Sequence, residues 1–383
     1  MEEKIKKNSL FQLLSEVYVA SIVFIAIIRN NYQDYLDQLM MIMLLMGVGL
    51  ITYFVLCYRV DFGVILLYSA LLLCALLNKV FVRMASLKEI AITFIVYIPI
   101  AIFVFTEKKL NVNFWKTFYI AVTICIMWKW LHSVDGYLLF PELSRNYISI
   151  ILLLPLYIYV VACSKANKNL PIWSVLLYLG CCVSAIGRGG ILAGCVFLFL
   201  YMLWWLLFKQ DNVGDIKVLK VSLFIILGFA LVVFLLFGLN PFLARFFPRF
   251  VDGTGVISDG IRIGMLTDYL KSLGDPKNLL LGSFSRDLNP ELALRYGNLH
   301  NSYFMFHAHY GLVGTVLLIY YIIASCIKLF SRKEFVLLMF FLVFLVRALT
   351  DHFFTLHYGE MILWYYFLYY IDGKSNIKIV LSS

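Results

Sequence analysis

Apolar runs of about twenty residues, each closed off by charge, recur from one end of this chain to the other. A bilayer's hydrocarbon core is about 30 Å thick and a helix rises about 1.5 Å per residue, so one such run is the length of one crossing. A helix also satisfies its own backbone hydrogen bonds, which an environment without water demands. About twelve spans are expected, near 10–28, 38–57, 63–78, 90–105, 114–131, 147–163, 172–186, 190–208, 218–239, 303–327, 335–350 and 358–371. The third, seventh and last are short or carry polar residues, so eleven is the alternative count. The last has only eleven uninterrupted apolar residues, Met361 to Ile371, and takes in His357 and Glu360 to reach across. With 63% hydrophobic and 14% charged residues, the chain lacks the polar material to clothe a soluble surface. The expected fold class is an all-α integral membrane protein. The charged start, Met1 to Lys7, is not followed by a small-residue cleavage site, so the first span is expected to be retained.

Charge sets the expected orientation. With the N-terminus inside, the inner segments hold 17 Lys and Arg and the short outer loops hold 8. Both termini are therefore expected in the cytoplasm. The net charge of +10 is mostly this orientation signal and does not indicate nucleic-acid binding. No fixed-period repeat or Pro- or Ser-rich linker divides residues 1–383, which are expected to form a single polytopic domain. Its one elaboration is a hydrophilic stretch, residues 240–299, placed by the charge bias on the outer, periplasmic or extracellular side.

This loop is expected to contain three short helices. Pro241 to Phe250 sets Arg245 and Arg249 four apart among phenylalanines, as an interfacial anchor or a ligand contact. A second helix, capped by Ser258 or Asp259, runs from about Gly260 to Leu273 and stops at Gly274. Arg262 sits in its first turn, where the helix dipole disfavours a cation, so a partner elsewhere is expected. The third helix opens at Asn289-Pro290 and ends near Gly297. Five arginines against two lysines in this loop favour a phosphate-bearing ligand, because the guanidinium fork matches phosphate in a bidentate manner.

The eight cysteines (57, 74, 125, 163, 181, 182, 195 and 326) lie in or beside apolar spans, with none in the loop. They are read as small packing residues, with no disulfide framework or thiolate metal site. His307 and His309 are two residues apart on a helix, hence roughly 200° apart around its axis, and do not make a chelate. The loop's aspartates are scattered. No metal and no cofactor are expected.

Two further motifs accompany the loop. Ser184-Ala-Ile-Gly187-Arg188-Gly189-Gly190 joins the seventh and eighth spans on the outer side, an arginine among small residues that let backbone approach a ligand. Leu299-His300-Asn301-Ser302-Tyr303, followed by Gly311-Leu-Val-Gly314, stands where the loop re-enters the membrane. A neutral imidazole there can take a proton from an attacking hydroxyl. Arg347-Ala-Leu-Thr-Asp351-His352 is a second polar knot on the outer side. It is read either as lining the same cavity, with Arg347 on sugar or phosphate, or as an internal Arg347–Asp351 pair at helical spacing.

The order of these motifs over residues 172–330 resembles the O-antigen ligase and polymerase family of bacterial membrane glycosyltransferases. This chain has Gly187 before Arg188 where that family often has serine. The resemblance implies that Arg188 and Arg262 bind the pyrophosphate of an undecaprenyl-pyrophosphate-linked glycan. It makes His300 the general base on the acceptor hydroxyl, with Asn301 helping to hold the site. It also implies the bacterial inner membrane as location, lipid-linked donor and acceptor as partners, and a chain-length regulator as a candidate protein partner. The expected activity is polymerisation of O-antigen or capsule repeat units. One alternative is a ligase handing finished glycan to a lipid A core or other acceptor. A second is a flippase for the same lipid-linked sugar, which would call for mid-span ionisable residues and broken helices in two matching halves.

Overall fold

A computed structural model describes residues 2–28, 35–57, 61–132, 147–185, 187–208, 228, 257–283 and 299–372. The described residues form helices and no strand. In chain order the helices are α1 (Glu2–Ile28), α2 (Leu36–Cys57), α3 (Phe62–Phe81), α4 (Leu87–Ile92), α5 (Ile98–Thr106), α6 (Val112–His132) and α7 (Tyr147–Lys165). They continue as α8 (Ile172–Ser184), α9 (Arg188–Phe208), α10 (Ile257–Ser272), α11 (Pro276–Leu281), α12 (Ser302–Ser331), α13 (Phe335–Ala348) and α14 (Glu360–Asp372). Among the described residues, six helical segments are long and apolar enough to cross a membrane: 36–56, 62–81, 87–106, 147–165, 189–207 and 302–331. Shorter apolar helices lie at 12–28, 112–128, 172–184 and 335–348. The expected span 218–239, apart from Gly228, lies outside the described residues, as do the expected loop helices at 241–250 and 289–297.

Helix α7 occupies the middle of the assembly, with every side chain from Ile148 to Cys163 buried. It packs on α6 and α13, while α14 packs on α5 and α12 and is buried from Met361 to Leu368. The outer helices show the opposite pattern. Leu45 on α2, Val55 on α2 and Ile327 on α12 are 67%, 71% and 64% exposed. Continuous apolar faces of this kind belong against lipid.

Two irregularities have sequence causes. Between α4 and α5 the chain makes one π turn, Thr93–Tyr97, with the Ile98 N–H reaching back to Thr93 O. Pro99 follows at the start of α5, and its missing N–H leaves Ile95 O without the usual helical donor, which favours the wider turn. The second irregularity is a break in α12 at Gly311, where φ is 65° and ψ is −165°. A Cβ there would fall 2.1 Å from Leu280 O, so α11 can lie against the break only because the residue is glycine. Asn78, buried on α3, ties the pieces together. Its Nδ2 donates to Ala308 O at 2.7 Å and to Leu281 O at 2.8 Å, and its Oδ1 accepts from Ala85 N.

Ionisable groups inside the bundle also have partners. Both carboxyl oxygens of Glu16 accept the Asn111 N–H at 3.0 Å. Glu360 accepts the Tyr310 hydroxyl at 2.5 Å and the Leu356 N–H at 3.0 Å. Lys165 Nζ donates to Val104 O, Phe105 O and Glu107 O at the end of α5, and Lys328 Nζ does the same for Tyr369 O and Tyr370 O at the end of α14. A cation at a helix C-terminus satisfies carbonyls that have no intrahelical donor.

Replacing Asn78 with alanine removes the donors to two buried carbonyls, and each such loss costs about 1–3 kcal/mol. Asn78→Ala is expected to lower the unfolding midpoint in detergent clearly, whereas Asn113→Ala on the exposed start of α6 is expected to leave it unchanged. Equal midpoints for the two variants would contradict this role for Asn78.

Candidate functional site

The N-terminus of α12 is held by its own first residues. Asn301 is the N-cap, accepting from Tyr303 N at 3.0 Å and Phe304 N at 3.2 Å through one oxygen. Its Nδ2 donates to Leu349 O at 3.2 Å, linking the cap to the end of α13. Ser302 Oγ donates to Asp351 O at 2.6 Å and accepts from Phe353 N at 3.1 Å. His300, just ahead of the cap, has a φ of 48°, a left-handed conformation that costs a non-glycine residue about 1 kcal/mol. The fastening of Asn301 and Ser302 just after the turn holds one side of it in place. The His300 side chain is 23% exposed, and its Nδ1 lies 3.7 Å from Asp351 Oδ1.

Arg347 lies at the bottom of the same cluster with no exposure to solvent. Its Nε donates to Ser149 Oγ on α7 at 2.8 Å, its Nη1 to Thr350 Oγ1 at 2.8 Å, and its Nη2 to Asp351 Oδ2 at 3.3 Å. The guanidinium also lies over the Phe353 ring, 5.7 Å from its centre. Of the two readings of the Arg347 knot, the internal Arg347–Asp351 pair at helical spacing is present. A buried guanidinium is tolerable only when charge and donors are both matched, and protein groups do the matching.

The third segment is the start of α9. Gly189 packs so tightly on this cluster that a Cβ would stand 2.4 Å from Thr350 Oγ1 and 3.1 Å from Arg347 Nη1. A Cβ on Gly190 would stand 2.6 Å from Ser149 Cβ. The small residues after Arg188 let the helix end approach Thr350, Arg347 and Ser149 closely. Arg188 itself is the first residue of α9, beside this contact, at the end of the helix where N–H groups are unpaired.

Arg262 belongs to α10, which reaches the site by packing. Met265 and Tyr269 of α10 form a small apolar cluster with Leu299, Met305 and Ala308 around the re-entry point. Arg262 is one turn before Met265 and two before Tyr269 on that helix. Tyr269 Oη lies 2.6 Å from His307 Nδ1, and His307 Nε2 lies 2.9 Å from Leu279 O. A carbonyl cannot donate, so Nε2 carries the proton and Nδ1 accepts the tyrosine hydroxyl. This bond pins α10 to α12. Helix α10 spans Ile257–Ser272, which covers the expected Gly260–Leu273 stretch apart from its last residue, and the side chains of Ser258 and Asp259 lie outside what the structure describes. His309 points elsewhere, with Nδ1 on Met305 O at 2.8 Å and its ring stacked on that of His352 at 5.9 Å.

The electrostatics follow from this enclosure. Burial alone would push the Asp351 carboxyl up, but His300 and the Arg347 guanidinium outweigh it and hold the group at about 2. Burial lowers the His352 imidazole, which donates from Nε2 to Thr355 O at 3.1 Å. Because the Asp351 value is depressed, its contribution to stability is present above the ordinary carboxyl value of about 3.9 and is lost as pH falls through about 2. Among the described residues no group of three His, Cys, Asp or Glu side chains is placed to hold a metal ion.

The structure thus brings His300, Asn301, Arg347 and the backbone of Arg188 to one end of the bundle, with the helix of Arg262 packed alongside. Sequence reasoning missed Ser149 and the approach of His300 to Asp351, which long-range packing alone reveals. It also missed α11, although Asp275-Pro276 is the same cap-and-proline signal it used at Asn289-Pro290; Asp275 Oδ1 accepts from Lys277 N at 2.9 Å. Comparison with family models, curated proteins and solved structures finds no match to this chain.

Asp351→Asn leaves the Arg347 charge buried and unbalanced, and is expected to cost about 3–5 kcal/mol of stability in detergent-based unfolding. The double variant Arg347→Met/Asp351→Asn removes the charge as well and is expected to recover part of that loss. A double variant as unstable as the sum of the singles would show the two residues to be independent.

Proposed function

We propose that the chain is a bacterial inner-membrane glycosyltransferase of about twelve spans. It transfers a growing glycan from undecaprenyl pyrophosphate to the next lipid-linked repeat unit. The termini are cytoplasmic and the 240–299 loop faces outward. The observation that supports this best is the meeting of three sequence-distant segments, 187–190, 300–302 and 347–352, at one bundle end. They unite a partly exposed imidazole, a buried carboxylate behind it, and a helix N-terminus headed by arginine.

In this mechanism the acceptor sugar hydroxyl attacks the anomeric carbon of the donor glycan. The bond from that carbon to the pyrophosphate oxygen breaks, and the pyrophosphate leaves with the electron pair. Arg188, at the N-terminus of α9, and Arg262 on α10 balance the charge that develops on it. His300 takes the hydroxyl proton. Asp351 faces Nδ1, which leaves Nε2 for the acceptor, and its negative charge favours the imidazolium that forms. Arg347 keeps Asp351 ionised and in place and does not itself touch substrate. A good leaving group needs no more than charge balance and an oriented, deprotonated nucleophile.

Purified protein supplied with lipid-linked repeat alone is expected to make longer glycan chains. Glycan transfer only after a separate acceptor is added would identify a ligase, and movement of lipid-linked sugar across vesicles without a new glycosidic bond would identify a transporter. His300→Ala is expected to slow extension about 10²–10⁴-fold, the range for losing a general base. Arg262→Ala is expected to abolish extension with membrane insertion intact. Full-length polymer from His300→Ala would overturn the assignment of that residue.

A further inference from the structure

Within the hydrophilic stretch 240–299, the short helix α11 ends in three consecutive leucines, Leu279, Leu280 and Leu281. The backbone of that last turn is closed off by protein. Leu279 O accepts from His307 Nε2 at 2.9 Å, Leu281 O accepts from Asn78 Nδ2 at 2.8 Å, and Leu280 O lies against Gly311. These are carbonyls at a helix C-terminus, where no intrahelical donor remains. The side chains are not covered in the same way: Leu280 is more than half exposed, and Leu279 is exposed beside it. An edge with sealed carbonyls and open leucines suits hydrocarbon, where an unpaired carbonyl is costly and an apolar side chain is not.

The depth of α11 follows from the two spans it packs on, α3 and α12. Helix α3 runs for 20 residues, Phe62–Phe81. At about 1.5 Å per residue it rises about 30 Å, the thickness of the hydrocarbon core. The part of α12 after its break, Leu312 to Ser331, matches it in length. Asn78 lies one turn before the end of α3, and Gly311 lies just ahead of the unbroken part of α12; α11 is fixed to both. Both spans therefore run out at the level of α11, on the His300 side of the bilayer. Phe81 at the end of α3 and Val313 just past the break are themselves more than half exposed. Exposed apolar side chains of the two spans thus flank the leucines and continue into the lipid-facing surface.

We propose that α11 is an interfacial foot of the loop, with Leu279 and Leu280 seated among the acyl chains of the leaflet on the His300 side. Its partner is bilayer lipid, recognised by hydrocarbon and not by headgroup charge. Lys277, earlier on the same helix and exposed, keeps its ammonium in the headgroup layer on a flexible stem. The foot also steadies α10. Asn278 Nδ2 donates to Ser272 O at 3.2 Å, and the helix that ends at Ser272 is the one that carries Arg262. This part of the loop is thereby held at the membrane edge and does not stand clear of it.

Photo-crosslinking of the full-length protein in vesicles of phosphatidylethanolamine and phosphatidylglycerol tests this. The photoreactive residue p-benzoylphenylalanine replaces Leu280, Leu279 or, as a reference within the span, the exposed Ile319. Adducts are identified by mass spectrometry. Leu280→p-benzoylphenylalanine and Leu279→p-benzoylphenylalanine are each expected to give acyl-chain adducts in a yield equal to that at Ile319. Either position suffices where the other disturbs folding. Loss of the lipid adduct at both positions, with the Ile319 adduct retained, would overturn the proposal. So would an adduct to residues 284–298, or to a second copy of the chain, in place of lipid. Glycan synthesis plays no part in the measurement, so failure of the proposed reaction and failure of the foot are read separately.

Discussion

A guanidinium with no exposure to solvent needs its charge and donors matched by protein, and Arg347 draws three parts of the chain together. Ser149 comes from α7, Thr350 and Asp351 follow α13, and the first turn of α9 closes on the same group through Gly189. Removing any of these leaves a charge or a donor unmatched in a low-dielectric interior, where the penalty is largest. The position of α9 against α7 and α13 is therefore an electrostatic matter as well as an apolar one. The candidate site is the exposed rim of this arrangement. His300 faces the outer oxygen of the carboxylate whose inner oxygen pairs with Arg347.

The broken α12 joins the two regions of the molecule described above. Its first three turns are fastened to the 349–355 segment through Asn301, Ser302 and Thr355, while the rest crosses beside α3 and α14. The break at Gly311 admits α11 and, through Asn78, is tied to α3. Tyr269 and His307 then fix α10 to the segment before the break. The helix that carries Arg262 is thus registered to the turn that carries His300 by one hydrogen bond and a small apolar cluster. In the proposed reaction this registration sets the distance between leaving group and base, the quantity on which proximity depends most steeply.

The helical class and most helix positions were legible in the sequence because they depend on local properties: run length, hydropathy and charged punctuation. The i, i+4 pair of Arg347 and Asp351 was legible for the same reason. The contact of Gly189 with Thr350, the Ser149 partner of Arg347 and the approach of His300 to Asp351 each join residues far apart in the chain, Arg347 and Ser149 by 198 positions. Nothing in local pattern specifies them. Asn78, at the end of the expected third span, satisfies carbonyls at the end of α11 and just before the α12 break, more than two hundred residues away. The glycines after Arg188 are a local signal of close approach, and the structure shows that approach to Thr350, Arg347 and Ser149.

The central claim is that one bundle end assembles a single site from Arg188, Arg262 and His300, with Asp351 behind the imidazole. A cryo-electron microscopy map of the protein with a bound polyprenyl-pyrophosphate-linked sugar tests it most directly. The account predicts phosphates between Arg188 and Arg262, and a sugar hydroxyl within about 2.6–3.2 Å of His300 Nε2. Phosphates seated elsewhere, with His300 turned away from the sugar, would contradict it.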